Sequence, residues 1–246
     1  MIINSTELQN NFGKYLMLAT QEDIIITRNG TEIAKLTKVK DSADDLLPNS
    51  ENIREKAPIY STEGVKATYD EFLQLHQESE ERFEYIDGEI YWLSSPKTAH
   101  QIAITELFGT FYNFFQGTDC TPMVAPYDIE LKRTEENINM VQPDLMIICD
   151  LVEKLNEQDY YKGVPSLVVE VLSKSTQRKD LIKKLDLYMS CGVNEYWIVN
   201  PDNKEVTVYL FEDKNIENMI TFKNDDVVKS FVFTGLGIDV KQIFRI

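Results

Sequence analysis

The chain has 246 residues, of which 43% are hydrophobic, 27% charged and 11% aromatic, enough apolar material for a packed core over most of its length. A net charge of -16 argues against broad, non-specific attraction to nucleic acid. No run approaches the roughly 18 apolar residues of a membrane span, and MIINSTELQNN lacks the basic and apolar regions of a secretion signal, so a cytoplasmic protein without a membrane partner is expected.

Residues 1–40 carry five Lys and Arg against four Asp and Glu, so nearly all the negative charge lies beyond them. Ser5 can cap a helix whose apolar positions Leu8, Phe12, Tyr15, Leu16 and Ala19 follow helical spacing. Two β-type runs, DIIIT and TEIAKLTKV, flank Asn29-Gly30 and predict a hairpin. Some 40 residues cannot bury an independent core, so this unit should dimerise or pack on something. Residues 41–60 are polar, acidic and proline-punctuated and read as a linker.

From residue 61 to 246, helices and strands alternate. Thr68 and Glu71 form a capping-box signature for a helix over YDEFLQLHQESEERF. FEYIDGEIYWLS reads as a hairpin turning at Asp87-Gly88. Residues 98–116 are helical by period, and YDIELKR and NMVQPDLMIIC read as two strands around a polar loop. VPSLVVEVLS is apolar enough to be central in a sheet. A helix over 176–190, the strand EYWIVNP, an Asp-Asn turn, the strand VTVYLFE and short β-like pieces complete the chain. The pattern predicts an α/β (α+β) domain with a mixed central sheet.

The cysteines, Cys120, Cys149 and Cys191, are far apart and odd in number, and the chain has two histidines, His76 and His100. Neither a structural zinc site nor a disulfide framework is expected, and Cys149 reads as a small buried hydrophobe.

Two carboxylates interrupt apolar strands, Asp144 in VQPDLMIIC and Glu170 in SLVVEVLS. A charge in such a setting is costly unless paired or bound to metal. Together they would offer hard oxygens suited to Mg2+ or Mn2+. Pro143 marks a strand start or bulge that re-aims Asp144. Asp180, Lys184 and Tyr188, spaced i, i+4, i+8, share a helix face that can return a cation to the carboxylates. Carboxylates for metal and a cation near the phosphate are the parts of a phosphodiester-cleaving site. The competing reading makes the strand carboxylates edge residues or salt-bridge partners and the Asp180–Lys184 pair surface support.

The blocks FEYIDGEIYWLSSPKTAHQ, APYDIEL, QPD at 142–144, VPSLVVEVLSKST, Asp180–Lys184–Tyr188 and GVNEYWIVNP occur in that order. Together they resemble the Uma-type restriction-endonuclease-like family of the PD-(D/E)XK nuclease superfamily, over roughly residues 60–210. The resemblance implies a restriction-endonuclease-like fold and metal held by Asp144 and Glu170. The superfamily's lysine would stand two residues after the second acid, where this chain has Leu172. In the Uma-type pattern a lysine of the following helix replaces it, here Lys184 in preference to Lys174, with Tyr188 orienting it. Glu84 and His100 resemble positions near the active site, Glu84 as an acid beside the metal pair. For His100 the alternative is a polar residue at a helix start. Asp128 is either a structural strand residue or a contributor. His76 is expected to be solvated, and Trp92 and Trp197 to be core aromatics.

The stretch NSTELQNNFGKYLMLATQEDIIITRNGTEIAKLTKVK resembles antitoxins of the Phd/YefM type. That resemblance implies a homodimer, operator DNA contacts through Lys14, Arg28 and Asn29, and a protein toxin as partner. The alternative is a dimerisation clip alone. The leading expectation for the whole chain is therefore a metal-dependent DNA endonuclease. The competing one is a non-enzymatic DNA-binding or antitoxin-like regulator that uses the nuclease fold as a scaffold.

Overall fold

The computed structural model describes residues 1–4, 7, 15, 18–19, 23–28, 31–36, 64–173 and 179–245. The chain divides into two compact units, Met1–Leu47 and Pro48–Ile246.

In the first unit, β2 (Ile24–Arg28) and β3 (Thr31–Leu36) form the antiparallel hairpin that the Asn-Gly signal predicts. A strand that the sequence did not signal, β1 (Ile2–Asn4), adds in parallel to β2. Tyr15 and Ala19 are helical and buried with Ile3, Ile24 and Ile26. The remaining expected helix positions, Leu8, Phe12 and Leu16, lie outside the described residues.

The second unit contains two larger sheets among its described residues. β4 (Val65–Lys66), β5 (Phe83–Ile86), β6 (Glu89–Trp92), β8 (Ile129–Lys132) and β9 (Ile138–Val141) form an antiparallel sheet in the order β4-β6-β5-β9-β8. α1 (Tyr69–Glu78) starts on the expected capping box, with Glu71 N donating to Thr68 Oγ1 and Thr68 N donating to Glu71 Oε2. It ends at Glu78 and not at Phe83. Glu78, Glu80 and Glu81 oppose the negative end of the helix dipole, and Phe83 pairs with Trp92 in the sheet instead. The β5–β6 turn places Asp87 and Gly88 at φ 49 and 80, the two positive angles of a type I′ turn.

The second sheet is mixed, in the order β14-β13-β12-β11-β10-β7. Its strands are β7 (Thr121–Val124), β10 (Leu145–Ile148), β11 (Leu167–Val171), β12 (Glu195–Asn200), β13 (Glu205–Glu212) and β14 (Asn215–Lys223). β11 and β12 are parallel and the other neighbours antiparallel. β11 is interior and buried on both faces, as its continuous apolar run predicts. Leu167, Val169 and Val171 face α2 (Thr98–Phe115) through Ala103, Leu107, Phe111 and Phe115. Burying Phe111 alone is worth about 1.5–3 kcal/mol. Val168 faces the other way, into a core shared by Ile129, Leu131 and Val141 of the first sheet and by α4 (Leu185–Cys191). A short α3 (Leu151–Lys154) follows β10, and β15 (Val227–Lys229), β16 (Gly237–Asp239) and α5 (Val240–Ile243) end the chain. β14 has nine residues, longer than the short terminal pieces expected.

Two further expectations are corrected. NMVQPDLMIIC is not one strand: it breaks at Gln142-Pro143-Asp144, leaving β9 in the first sheet and β10 in the second. Pro143 has no N–H to continue a ladder, so the chain changes sheet there. Cys149 is not a free hydrophobe. It follows β10 as Cys120 precedes β7, and the next antiparallel step beyond Ile148–Thr121 brings the two sulfurs into a disulfide of 2.01 Å. Spacing along the chain carries no sign of this pairing, which the strand register creates.

Candidate active site

The break at Gln142-Pro143-Asp144 lies where the two sheets meet, and the candidate residues gather around it. Glu84 comes from β5, Asp144 from the turn into β10, Glu170 from β11, and Lys184 from the end of a π-helical turn, Lys179–Lys184, that runs into α4. Such turns often occur at functional sites. His100 stands in the first turn of α2. All five line one cleft of about 490 Å3.

Lys184 is 2% exposed, and its Nζ lies 2.7 Å from Glu84 Oε1 and 2.6 Å from Glu170 Oε1. Tyr188, one helical turn on, donates its hydroxyl to the same Glu170 oxygen at 2.6 Å. The shared face of Lys184 and Tyr188 therefore exists and converges on Glu170. Asp180's side chain, and Lys174, lie outside the described residues. The same Glu84 oxygen, Oε1, also accepts from the backbone N–H of Gln142, at 3.0 Å. Among the described residues, two buried carboxylates share one buried ammonium. Such charges are tolerated in the interior only when paired and hydrogen-bonded.

Asp144 is separately fixed. Its Oδ2 accepts from the backbone N–H of Val171 at 2.8 Å and lies 3.2 Å from His100 Nε2. With the proton on Nε2, His100 donates to Asp144, and its buried Nδ1 has no partner among the described residues. His100 is thus both a residue of a helix start and a neighbour of the acid pair. Leu172, where the resemblance would have put a lysine, is 7% exposed and packs with Val168 and Leu185. A lysine there would have to leave a charge in that apolar cluster.

Asp128 reaches the site only through others. Its Oδ1 accepts from Gln142 Nε2 at 2.8 Å, and its Oδ2 lies 3.2 Å from His76 Nε2. His76 is therefore paired and not merely solvated. The hydrogen bond to Asp128 raises its pKa above the ordinary value, against a smaller opposing effect of burial. Gln142 was part of a motif in the sequence but had no assigned role, and here it couples Asp128 to Glu84. Trp197 is fully buried and donates to Glu195, as a core aromatic should. Trp92 meets Phe83 edge-on, with its Nε1 donating to Glu81. In the first unit Arg28 is exposed at the end of β2, while Lys14 and Asn29 lie outside the described residues.

The donor set suits one kind of ion. Asp144 and Glu170 offer hard carboxylate oxygens at the cleft, and no group of three or more His, Cys, Asp or Glu able to cage an ion occurs among the described residues. Mg2+ commonly binds through one or two carboxylates while keeping waters and substrate phosphates, unlike Zn2+ or Ca2+ in closed protein cages. The residues present therefore fit Mg2+ or Mn2+.

The fold and the sequence have relatives. A crystal structure described as "a putative nuclease belonging to DUF820" from Anabaena variabilis ATCC 29413 superposes with a TM-score of 0.60 at 21% identity, covering 73% of this chain and 98% of that one. At that identity the likeness shows a shared fold, the restriction-endonuclease-like mixed α+β architecture. A protein of Synechocystis sp. (strain ATCC 27184 / PCC 6803 / Kazusa), "Uncharacterized protein slr1290", is 28% identical over 181 residues, 73% of this chain and 92% of its own length. Residues 69–241 match the model of the family described as "Uma2: Putative restriction endonuclease". With that match spanning most of its length, the chain belongs to the Uma2 family.

Proposed function

We propose that the chain is a metal-dependent endonuclease that hydrolyses phosphodiester bonds of DNA, with Mg2+ or Mn2+ held by Asp144 and Glu170. The observation that carries this reading is the convergence of two independently anchored carboxylates on one cleft. The metal would supply Lewis-acid polarisation of the phosphate and a water acidic enough to attack at neutral pH. The chain's own residues do the positioning. Val171 N–H and His100 fix the Asp144 carboxylate. Lys184 and Tyr188 both donate to Glu170 Oε1, which turns the group in one direction. Lys184 also offsets the charge of Glu84, so that two acids can occupy one buried site. Its ammonium at the cleft wall adds positive potential where charge develops on the phosphate.

For the first unit we propose dimerisation, supported by the exposed Ile2 and Ile33 on a core too small to stand alone. Arg28 is proposed as a phosphate contact together with Lys14 and Asn29, with a protein toxin as the alternative partner. Residues 41–60, which lie outside the described residues, are proposed as a linker.

The test is cleavage of closed circular DNA, double- and single-stranded, with Mg2+ or Mn2+ by the wild-type protein and by Asp144→Ala/Glu170→Ala. Metal-dependent cleavage by the wild type alone is expected. Equal residual cleavage by both proteins would sink the proposal.

A further inference from the structure

The cleft has a second half that the acid pair does not use. Lys97 at the N-cap of α2 and Gln101, Ile104, Thr105 and Phe108 within it line this half as one stripe, and Tyr112 continues the stripe a turn beyond. Phe108 lies against the core on one side and the cleft on the other. Tyr112 is 53% exposed, and its ring sits 5.8 Å from that of Phe108 at 33°. Arg82 lines the cleft with Lys97, and neither makes an ion pair among the described residues. In a chain of net charge -16, two uncommitted cations beside an acid centre need a reason.

We infer that the cleft takes a nucleic-acid strand with unpaired bases, its phosphates met by Arg82 and Lys97 and a base laid on the Phe108–Tyr112 shelf. From His100 to Phe108 the helix advances about 12 Å, roughly the length of three to four stacked nucleotides. A strand with a phosphate at the acid pair thus carries a nearby base to the shelf. Two features favour an unpaired strand over a duplex. An aromatic shelf needs the flat face of a base, which a duplex hides in its stack. Duplex binding draws on many phosphate contacts, which a chain of net charge -16 with two uncommitted cleft cations does not offer. This inference rests on the cleft being a phosphodiester site, and its test is separable from the cleavage test.

The experiment measures fluorescence anisotropy of a labelled mixed-sequence oligonucleotide and of its blunt duplex. It uses the full chain carrying Asp144→Asn, in EDTA, so that the probe stays intact. The single strand is expected to bind about tenfold or more tighter than the duplex. Adding Tyr112→Ala should weaken strand binding by about 5- to 150-fold with the salt dependence unchanged. Adding Arg82→Gln or Lys97→Gln should lower the slope of log K against log salt by about 0.7 each. Tyr112 is exposed, so the fold should survive its truncation, which a melting curve checks. Duplex binding as tight as strand binding, or a Tyr112→Ala effect within about twofold, would overturn the inference. Strand preference without metal-dependent cleavage would leave it standing and sink only the catalytic proposal. Cleavage without strand preference would do the reverse.

Discussion

Replacing Lys184 with Met keeps the unbranched shape of the side chain, one atom shorter, and removes its charge from the buried cluster. The Nζ atom lies 2.7 Å from Glu84 Oε1 and 2.6 Å from Glu170 Oε1. The two carboxylate oxygens are then no more than roughly 5 Å apart, and at an effective dielectric constant near 20 their repulsion is about 3 kcal/mol. Losing one partner of a buried ion cluster typically costs about 3–5 kcal/mol, a large share of the roughly 5–15 kcal/mol that holds a domain folded. Urea denaturation at neutral pH should show a deficit of that size for Lys184→Met. The deficit should shrink as the pH is lowered, because one carboxylate of the variant can take a proton and end the repulsion. Glu84→Gln combined with Lys184→Met should recover part of the loss at neutral pH. A deficit under about 1 kcal/mol, or one that does not depend on pH, would refute the reasoning.

Three other outcomes follow from the same geometry. The raised pKa of His76 beside Asp128 means that its pair stabilises fully below the unfolded value of about 6.5 and fades as pH rises through the folded value. The urea midpoint of the wild type should therefore fall over that window more steeply than that of His76→Gln, and parallel curves would contradict it. Leu172→Lys, which restores the superfamily's lysine position, should lower the melting temperature with a cost of about 2–5 kcal/mol, because the cluster around Leu172 is apolar. An unchanged melting curve would mean the new charge finds an exit. Arg133 clamps the Asp87 turn to α4, bonding Asp87 at 3.0 Å, Asp186 at 2.7 Å and the Ser190 hydroxyl. Arg133→Met should cost about 1.5–3 kcal/mol in denaturant titrations, and a loss within error would show the clamp to be surface decoration.

The local elements were legible because local chemistry decides them. The Thr68–Glu71 box, the Asp87-Gly88 turn and the buried run of β11 each carry a signal within a few residues. What needed the structure is long-range. Nothing near Pro143 says that β9 and β10 belong to different sheets, and nothing near Cys120 says that Cys149 is its neighbour. Of the site, Asp144 and Glu170 were visible as charges in apolar runs, Lys184 by its helical spacing with Tyr188, and Glu84 and His100 through the family resemblance. The cleft brings all five together. The Asp128–Gln142–Glu84 link was not visible, because a backbone N–H and an amide side chain leave no pattern in a sequence. Arg82 and Lys97 were equally silent: isolated cations become notable only when the cleft shows them together and uncommitted.

The most direct test of Asp144 and Glu170 as metal ligands is an anomalous difference map from a crystal soaked in Mn2+. A peak within ligand distance, about 2.0–2.2 Å, of oxygens from both carboxylates, with the Lys184 ammonium still on Glu170, is the expected result. A peak elsewhere, or none at saturating Mn2+, would contradict the account and leave the nuclease fold as a scaffold for binding.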